Sequence, residues 1–179
     1  MRIITGTAKG KPLISLSGKD TRPTGDKIKE SIFSVIQFEV ADSVVLDLFA
    51  GSGQLGIEAL SRGAKKAYFA DINAKAVEIV KANLEYTQLE ENARVDKLPY
   101  NAFLRLCKDC FDIAFLDPPY ERGLIEKALP LVIPKMNQNS VIICEHEKRL
   151  QLPETIGDFT IVKTYEHGSI AVTIMRNNQ

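Results

Sequence analysis

The sequence predicts an α/β fold: a doubly wound, mainly parallel seven-stranded sheet with an antiparallel closing hairpin and a small N-terminal hairpin-plus-helix extension. Three observations carry this. From residue 43 onward short apolar runs alternate with amphipathic helical stretches, which implies crossover connections and parallel strands. The first run passes directly into the glycine-rich turn Ala50-Gly51-Ser52-Gly53. The last two runs lack a helix between them, so one must run antiparallel.

Taken in order, Arg2 to Ile14 reads as a short hairpin turning at Gly6 and Gly10. Thr24 is placed to cap a helix from Gly25 to about Phe38, with Ile28, Ile32, Val35 and Ile36 on one face. Val44–Phe49 is a buried strand, Gln54–Arg62 a helix, and Gly63 its C-terminal turn residue. Lys66–Asp71 is the second strand. Asn73 caps a helix to about Thr87, with Val77, Val80 and Leu84 inward. A weaker third strand, Ala93–Leu98, precedes a helix from about Asn101 to Lys108. Phe111–Leu116 is the fourth strand, stopped by Asp117-Pro118-Pro119-Tyr120. A helical stretch at Gly123–Leu129 is interrupted by Pro130 and Pro134. Ser140–Cys144 is the fifth strand, and Phe159–Tyr165 with Ser169–Arg176 form the closing hairpin. Residues 1–40 read as an extension and 41–179 as the main domain.

The 179 residues suit one domain with a substantial core, and 45% hydrophobic with 26% charged residues argues against disorder. The apolar runs are too short for a membrane span, and residues 1–20 carry no secretory pattern. Three cysteines make no disulfide framework. The expectation is a cytoplasmic protein, monomeric by default. Formal net charge is zero, yet residues 1–30 hold seven basic and three acidic side chains, a local +4 that leaves −4 elsewhere. Such a segment is either a solvated terminus or the footprint of a polyanion.

Gly51-Ser52-Gly53-Gln54-Leu55-Gly56 follows a strand and opens a helix, so its backbone can approach a ligand closely. Asp71 lies twenty residues past Gly51 at a strand end, where a carboxylate can accept from both hydroxyls of a ribose. Asp47, just before the loop, would repel a pyrophosphate and attract an ammonium. That favours S-adenosylmethionine over a nicotinamide dinucleotide. Asp117 and a fixed proline carbonyl offer two acceptors to an exocyclic amino group, and Tyr120 offers a face for a base to stack on. Cys107, Cys110, Cys144 and His146 are zinc-ligand types whose spacing does not bring them together, so no metal site is expected.

These motifs resemble class I S-adenosylmethionine-dependent methyltransferases that act on nucleobase amino groups. Arg2-Ile-Ile-Thr-Gly6, Arg22-Pro-Thr-Gly-Asp-Lys-Ile-Lys-Glu-Ser-Ile-Phe33, the run Asp47 to Gly63, and Asp117-Pro-Pro-Tyr-Glu-Arg-Gly123 resemble the RsmD family over nearly the whole chain. The resemblance implies methyl transfer to N2 of a guanine in 16S rRNA within small-subunit ribonucleoprotein. It assigns the donor to Thr24, Asp47, Phe49, Ala50, Gly51, Gly53, Asp71, Ile72, Asn101 and Ala102. Asp117, Pro118, Pro119 and Tyr120 would hold the target base. Arg2, Lys9, Lys11 and Arg22 would contact phosphates. An adenine-N6 DNA or RNA methyltransferase, a nicotinamide-dependent oxidoreductase and a non-catalytic nucleotide-binding RNA-assembly module are the competing readings.

Overall fold

The computed structural model describes residues 1–16, 25–120 and 122–177. Arg22 and Thr24 therefore lie outside the described residues. The elements are α1 (Asp26–Val35), β1 (Val44–Asp47), α2 (Gln54–Ser61), β2 (Lys66–Asp71), α3 (Ala74–Thr87), β3 (Ala93–Lys97), α4 (Tyr100–Leu106), β4 (Phe111–Leu116), α5 (Leu124–Val132), β5 (Met136–Glu147), β6 (Thr155–Ile156), β7 (Phe159–His167) and β8 (Ile170–Asn177).

They form one sheet of order β3-β2-β1-β4-β5-β8-β7-β6. Strands β1 to β5 pair in parallel, β8 runs antiparallel to β5, and β7 antiparallel to β8. Seven strands were expected and eight are present. The extra one, β6, has two residues and forms the edge, paired only with β7. Strand alternation sends Val45, Phe69, Phe115 and Ile143 to a core beneath α1, α2 and α3, and Leu46, Tyr68, Leu116 and Cys144 to another beneath α4 and α5. Each fully buried aliphatic or aromatic side chain here contributes about 1.5–3 kcal/mol. On the first face α2 approaches β2 so closely that a Cβ on Gly56 would lie 2.3 Å from Phe69 Cε1.

Several boundaries differ from expectation. Gly25 occupies the cap position of α1 and makes no side-chain cap, and the helix ends at Val35 rather than Phe38. Asn73 caps α3 as expected, accepting the Lys75 N–H at 3.0 Å. Helix α4 starts at Tyr100, capped by Pro99, one residue earlier than read. Pro130 does not stop α5. It sits on the exposed side of the helix, where water can satisfy the carbonyl it leaves without a donor, while Ile125, Ala128, Leu129 and Val132 hold the other side in the core. Strand β5 runs from Met136 to Glu147, past both expected ends, with a register shift opposite Phe111–Ile113 and Asn139 at φ 56°.

The N-terminal segment pairs with itself at a single bridge, Arg2 with Pro12, and turns through Gly6 and Gly10. Side chains from α1 and α2 hold its first residues down. The buried Glu58 of α2 accepts the N–H groups of Ile4 at 2.8 Å and Thr5 at 3.0 Å. Ser61 Oγ accepts Ala8 N–H at 2.9 Å. Lys29 of α1, also fully buried, donates to the Arg2 carbonyl. Ile3, Ala8 and Leu13 consequently belong to the same core as α1, α2 and α3.

Candidate active site

The strand order reverses between β1 and β4, which leaves a crevice at the carboxyl ends of the parallel strands. A cavity of about 500 Å³ fills it, within the range of small-molecule sites. Its wall contains ten of the residues singled out in the sequence: Asp47, Phe49, Ala50 and Gly51 on the β1 side, Asp71 and Ile72 at the end of β2, and Asp117, Pro118, Pro119 and Tyr120 after β4. The structure thus brings together three stretches separated by 24 to 70 residues of sequence numbering.

The glycine loop is built by left-handed backbone at two points, Gly51 at φ 55° and Gly53 at φ 75°. Side chains rarely adopt such angles, and Gly53 has no room for one, since a Cβ would sit 3.1 Å from Val80. Gly53 does not itself line the cavity. It caps α2 and so turns the chain. Asp71 Oδ2 accepts the Gly51 N–H at 2.9 Å, and its Oδ1 accepts the Asn73 N–H at 2.8 Å. One carboxylate therefore fixes both neighbouring loops. A carboxylate has about four lone-pair sites, so two bonds leave it able to accept from a ligand.

Asp47 differs from the charged group the sequence suggested. It is 2% exposed, and its Oδ2 accepts the Gly56 N–H at 2.9 Å. Burial pushes its carboxyl up to about 7, opposed by the Gly56 hydrogen bond and reinforced by the charge of Asp71. Near neutral pH it is close to its midpoint. The argument from repulsion of a pyrophosphate weakens accordingly. An N–H or ammonium donor would restore the carboxylate. Beside it, Gln54 Oε1 is buried without a hydrogen-bond partner among the described residues.

Asn101 and Ala102 are absent from the cavity wall. Asn101 Oδ1 turns back to accept the Ala102 N–H at 2.9 Å, and Leu98, Pro99 and Tyr100 take that stretch of wall instead. Tyr100 packs its ring 5.5 Å from that of Phe49. Ser15 and Leu16 also reach the wall and had no signal in the sequence. Asn83 of α3 explains their position. Fully buried, it accepts the Ile14 N–H at 2.8 Å and donates to the carbonyls of Ile14 at 3.0 Å and Ser52 at 2.9 Å.

Beyond Asp117 the turn carries Tyr120, whose O–H donates to Glu145 Oε1 at 2.8 Å. Burial and the Glu145 charge push its phenol well above the usual range. The basic residues are less uniform than their sequence implies. Arg2 is exposed and 3.3 Å from Asp26, and Lys9 is exposed. Lys11 is spent on the end of α3, donating to the carbonyls of Tyr86 at 3.2 Å and Thr87 at 3.3 Å. Cys107 and Cys144 are buried, Cys110 is exposed, and His146 lies between Thr173 Oγ1 at 2.8 Å and the Glu147 carbonyl at 2.9 Å.

Known proteins match this chain along its whole length. Residues 1–176 match the family described as Conserved hypothetical protein 95. YlbH of Bacillus subtilis (strain 168) is 39% identical over 181 residues, 98% of each chain. The Ribosomal RNA small subunit methyltransferase D of Haemophilus influenzae is 35% identical over 182 residues, 99% of this chain and 94% of that one. The solved structure of yhhF from Escherichia coli superposes with a TM-score of 0.87 at 30% identity, covering 99% of this chain and 98% of that one. With a match of this extent over sheet, glycine loop and Asp-Pro-Pro-Tyr turn alike, the chain belongs to the Conserved hypothetical protein 95 family, the RsmD methyltransferases.

Proposed function

We propose that the protein methylates N2 of a guanine in 16S rRNA, with S-adenosyl-L-methionine as donor and small-subunit ribonucleoprotein as substrate. One observation carries the reading. The Asp117–Tyr120 turn and the Asp47 and Asp71 carboxylates open onto a single cavity, so a nucleoside donor and an amino-group acceptor would meet there. The relatives named as small-subunit ribosomal RNA methyltransferases support the substrate class.

The residues present fit the donor. Asp71, held by two backbone N–H groups, suits the ribose hydroxyls. Ile72, Leu98 and Pro99 give apolar walls for an adenine. Asp47 and the unpartnered Gln54 Oε1 suit the donor's ammonium end. When bound, S-adenosyl-L-methionine supplies an electrophilic methyl group on a sulfonium.

The chain's own part is alignment. Asp117 and the Pro118 carbonyl accept hydrogen bonds from the two N2–H groups, which concentrates the nitrogen lone pair for attack on the methyl; S-adenosylhomocysteine leaves, and one N2 proton is then released to solvent or to a basic group nearby. Consecutive prolines hold that pair of acceptors rigidly, so little reorganisation is needed at reaction. The Tyr120 ring stacks on the extruded base. Residues 1–40 serve as the RNA-facing extension, with Arg2, Lys9 and Arg22 towards phosphates, and residues 41–179 carry the transfer. Lys11, engaged by the end of α3, is left with a structural role.

The test is transfer from labelled S-adenosyl-L-methionine to small subunits from cells lacking the gene, followed by nucleoside analysis. N2-methylguanosine at one position is expected. N6-methyladenosine would retain the mechanism and replace the base, and an unlabelled RNA would overturn the proposal.

A further inference from the structure

The cavity of about 500 Å³ is acidic. Asp47, Asp71 and Asp117 line it, and among the described residues Arg122 is the one cationic side chain in its wall. A neighbouring cavity of about 240 Å³ adds three carboxylates against Arg122 again and Arg149. An RNA strand brings a negative phosphate with every base, so a base entering this crevice arrives with charge of the wrong sign for its walls. A cation at the entrance offsets that repulsion.

Arg122 stands where the two cavities meet, in the wall of each. Its backbone is set from both sides. Pro118 and Pro119 stiffen the turn before it, and Gly123 follows at φ 57°, capping α5 in left-handed backbone. A Cβ on Gly123 would meet nothing closer than Glu126 Oε2 at 3.8 Å, so the glycine is required by its angle and not by crowding. The Arg122 side chain is exposed, and no hydrogen bond or ion pair ties it to another described residue. Its guanidinium offers a planar fork of N–H donors that fits two phosphate oxygens at once. A base stacked on the Tyr120 ring has its sugar and phosphate at the exposed rim that Arg122 occupies.

From this placement we propose that Arg122 grips the phosphate of the target nucleotide and so holds the extruded base in the transfer cavity. The inference rests on the RNA-acceptor reading above and adds a phosphate site at the cavity itself, apart from the basic N-terminal segment. The other anion that reaches this cavity is the donor's own carboxylate. Asp47, Gln54 and the glycine loop draw that end of the donor to the β1 side, whereas Arg122 borders the second cavity beyond the Asp117–Tyr120 turn, on the acceptor side. The phosphate is therefore the better match.

The experiment uses the full-length protein, labelled S-adenosyl-L-methionine and small subunits from cells lacking the gene. Arg122→Gln is expected to raise KM for the subunits about 10- to 100-fold with little change in kcat, as fits the loss of a charge-assisted hydrogen-bonded pair. The slope of log kcat/KM against log salt, at fixed magnesium, should become shallower by about 0.7–0.9, the share of one phosphate. Arg122→Lys keeps the charge without the fork, and should restore the wild-type salt dependence but only part of the affinity. S-adenosylhomocysteine should bind all three proteins equally in calorimetry. Weaker binding of it to Arg122→Gln would place the guanidinium on the donor's carboxylate and overturn the proposal. So would a subunit KM or a salt dependence that Arg122→Gln leaves unchanged, results in which the wild type still labels its RNA. Failure of the acceptor reading itself is distinguishable, because the wild type would then leave the subunits unlabelled, and the proposal would fall with it.

Discussion

Lys29 Nζ lies 3.3 Å from Glu58 Oε2, and both side chains are fully buried. Glu58 also accepts from Arg62 Nε at 2.8 Å and from two backbone N–H groups of the N-terminal segment. Removing one member of such a network leaves the others desolvated without a partner. Glu58→Ala is expected to cost about 3–5 kcal/mol in urea unfolding. The same variant should loosen the segment enough for trypsin to cut the Lys9–Gly10 bond under native conditions, and unchanged cleavage would show that the segment is held by other contacts.

The raised carboxyl of Asp47 links stability to pH. Between about 4 and 7 the folded chain retains a proton that the unfolded chain has released. The contribution of this group is therefore fully present below pH 4 and is lost as the pH rises through about 7, on the order of 4 kcal/mol in all. Asp47→Asn should flatten that part of the profile, measured by urea unfolding from pH 4 to 8. Affinity for S-adenosylhomocysteine, whose ammonium favours the charged carboxylate, should rise as the pH approaches 7 in the wild type and stay level in the variant.

Gly56→Ala forces a Cβ against the Phe69 ring, and overpacking of this kind costs about 1–3 kcal/mol. Phe69→Leu in the same chain should recover part of the loss. Additive losses in the double variant would mean that the ring is not what excludes the methyl group.

Asn83→Ala removes three hydrogen bonds at once and leaves the Ser52 carbonyl without this donor. The expected result is a donor KM raised about 5- to 30-fold with a smaller change in kcat, because the lost contacts shape the cavity wall and not the reacting atoms. A fall in kcat alone would contradict this.

Asp117→Asn replaces one acceptor at the amino group with a donor. Loss of one electrostatic contact of this type costs about 100- to 1000-fold in kcat. Binding of S-adenosylhomocysteine, followed by calorimetry, should be retained, and its loss would place Asp117 on the donor.

Strand ends and the glycine loop were legible because their signals are local: period-two alternation, a turn with two left-handed glycines, an acid at a fixed spacing. Asn101 is not on the cavity wall, because its Oδ1 turns back onto the Ala102 N–H while Leu98, Pro99 and Tyr100 face the crevice, and no local pattern distinguishes these neighbours. Glu145, the acceptor of the Tyr120 O–H, was not read as part of a strand because β5 was read as stopping at Cys144. Lys29, Glu58 and Asn83 had no local signature. Their partners lie 27, 54 and 69 residues away, and a buried lysine reads in sequence as one more surface charge.

The way the N-terminal segment is fastened also sets the order in which the molecule assembles. Its hydrogen bonds to Glu58, Asn83 and the end of α3 span 53 to 76 residues, so apart from Lys29 of α1 its side-chain partners are in place only once α2 and α3 have packed on the sheet. Closing loops of that length carries an entropic cost that the segment's own short-range backbone bonds, such as Ile3 N–H to the Lys11 carbonyl at 3.0 Å, do little to offset. The segment's docking onto the sheet is thus among the last contacts to form. Held by side chains and a few short backbone bonds instead of a strand ladder, this segment should also exchange its amide hydrogens before the central strands do.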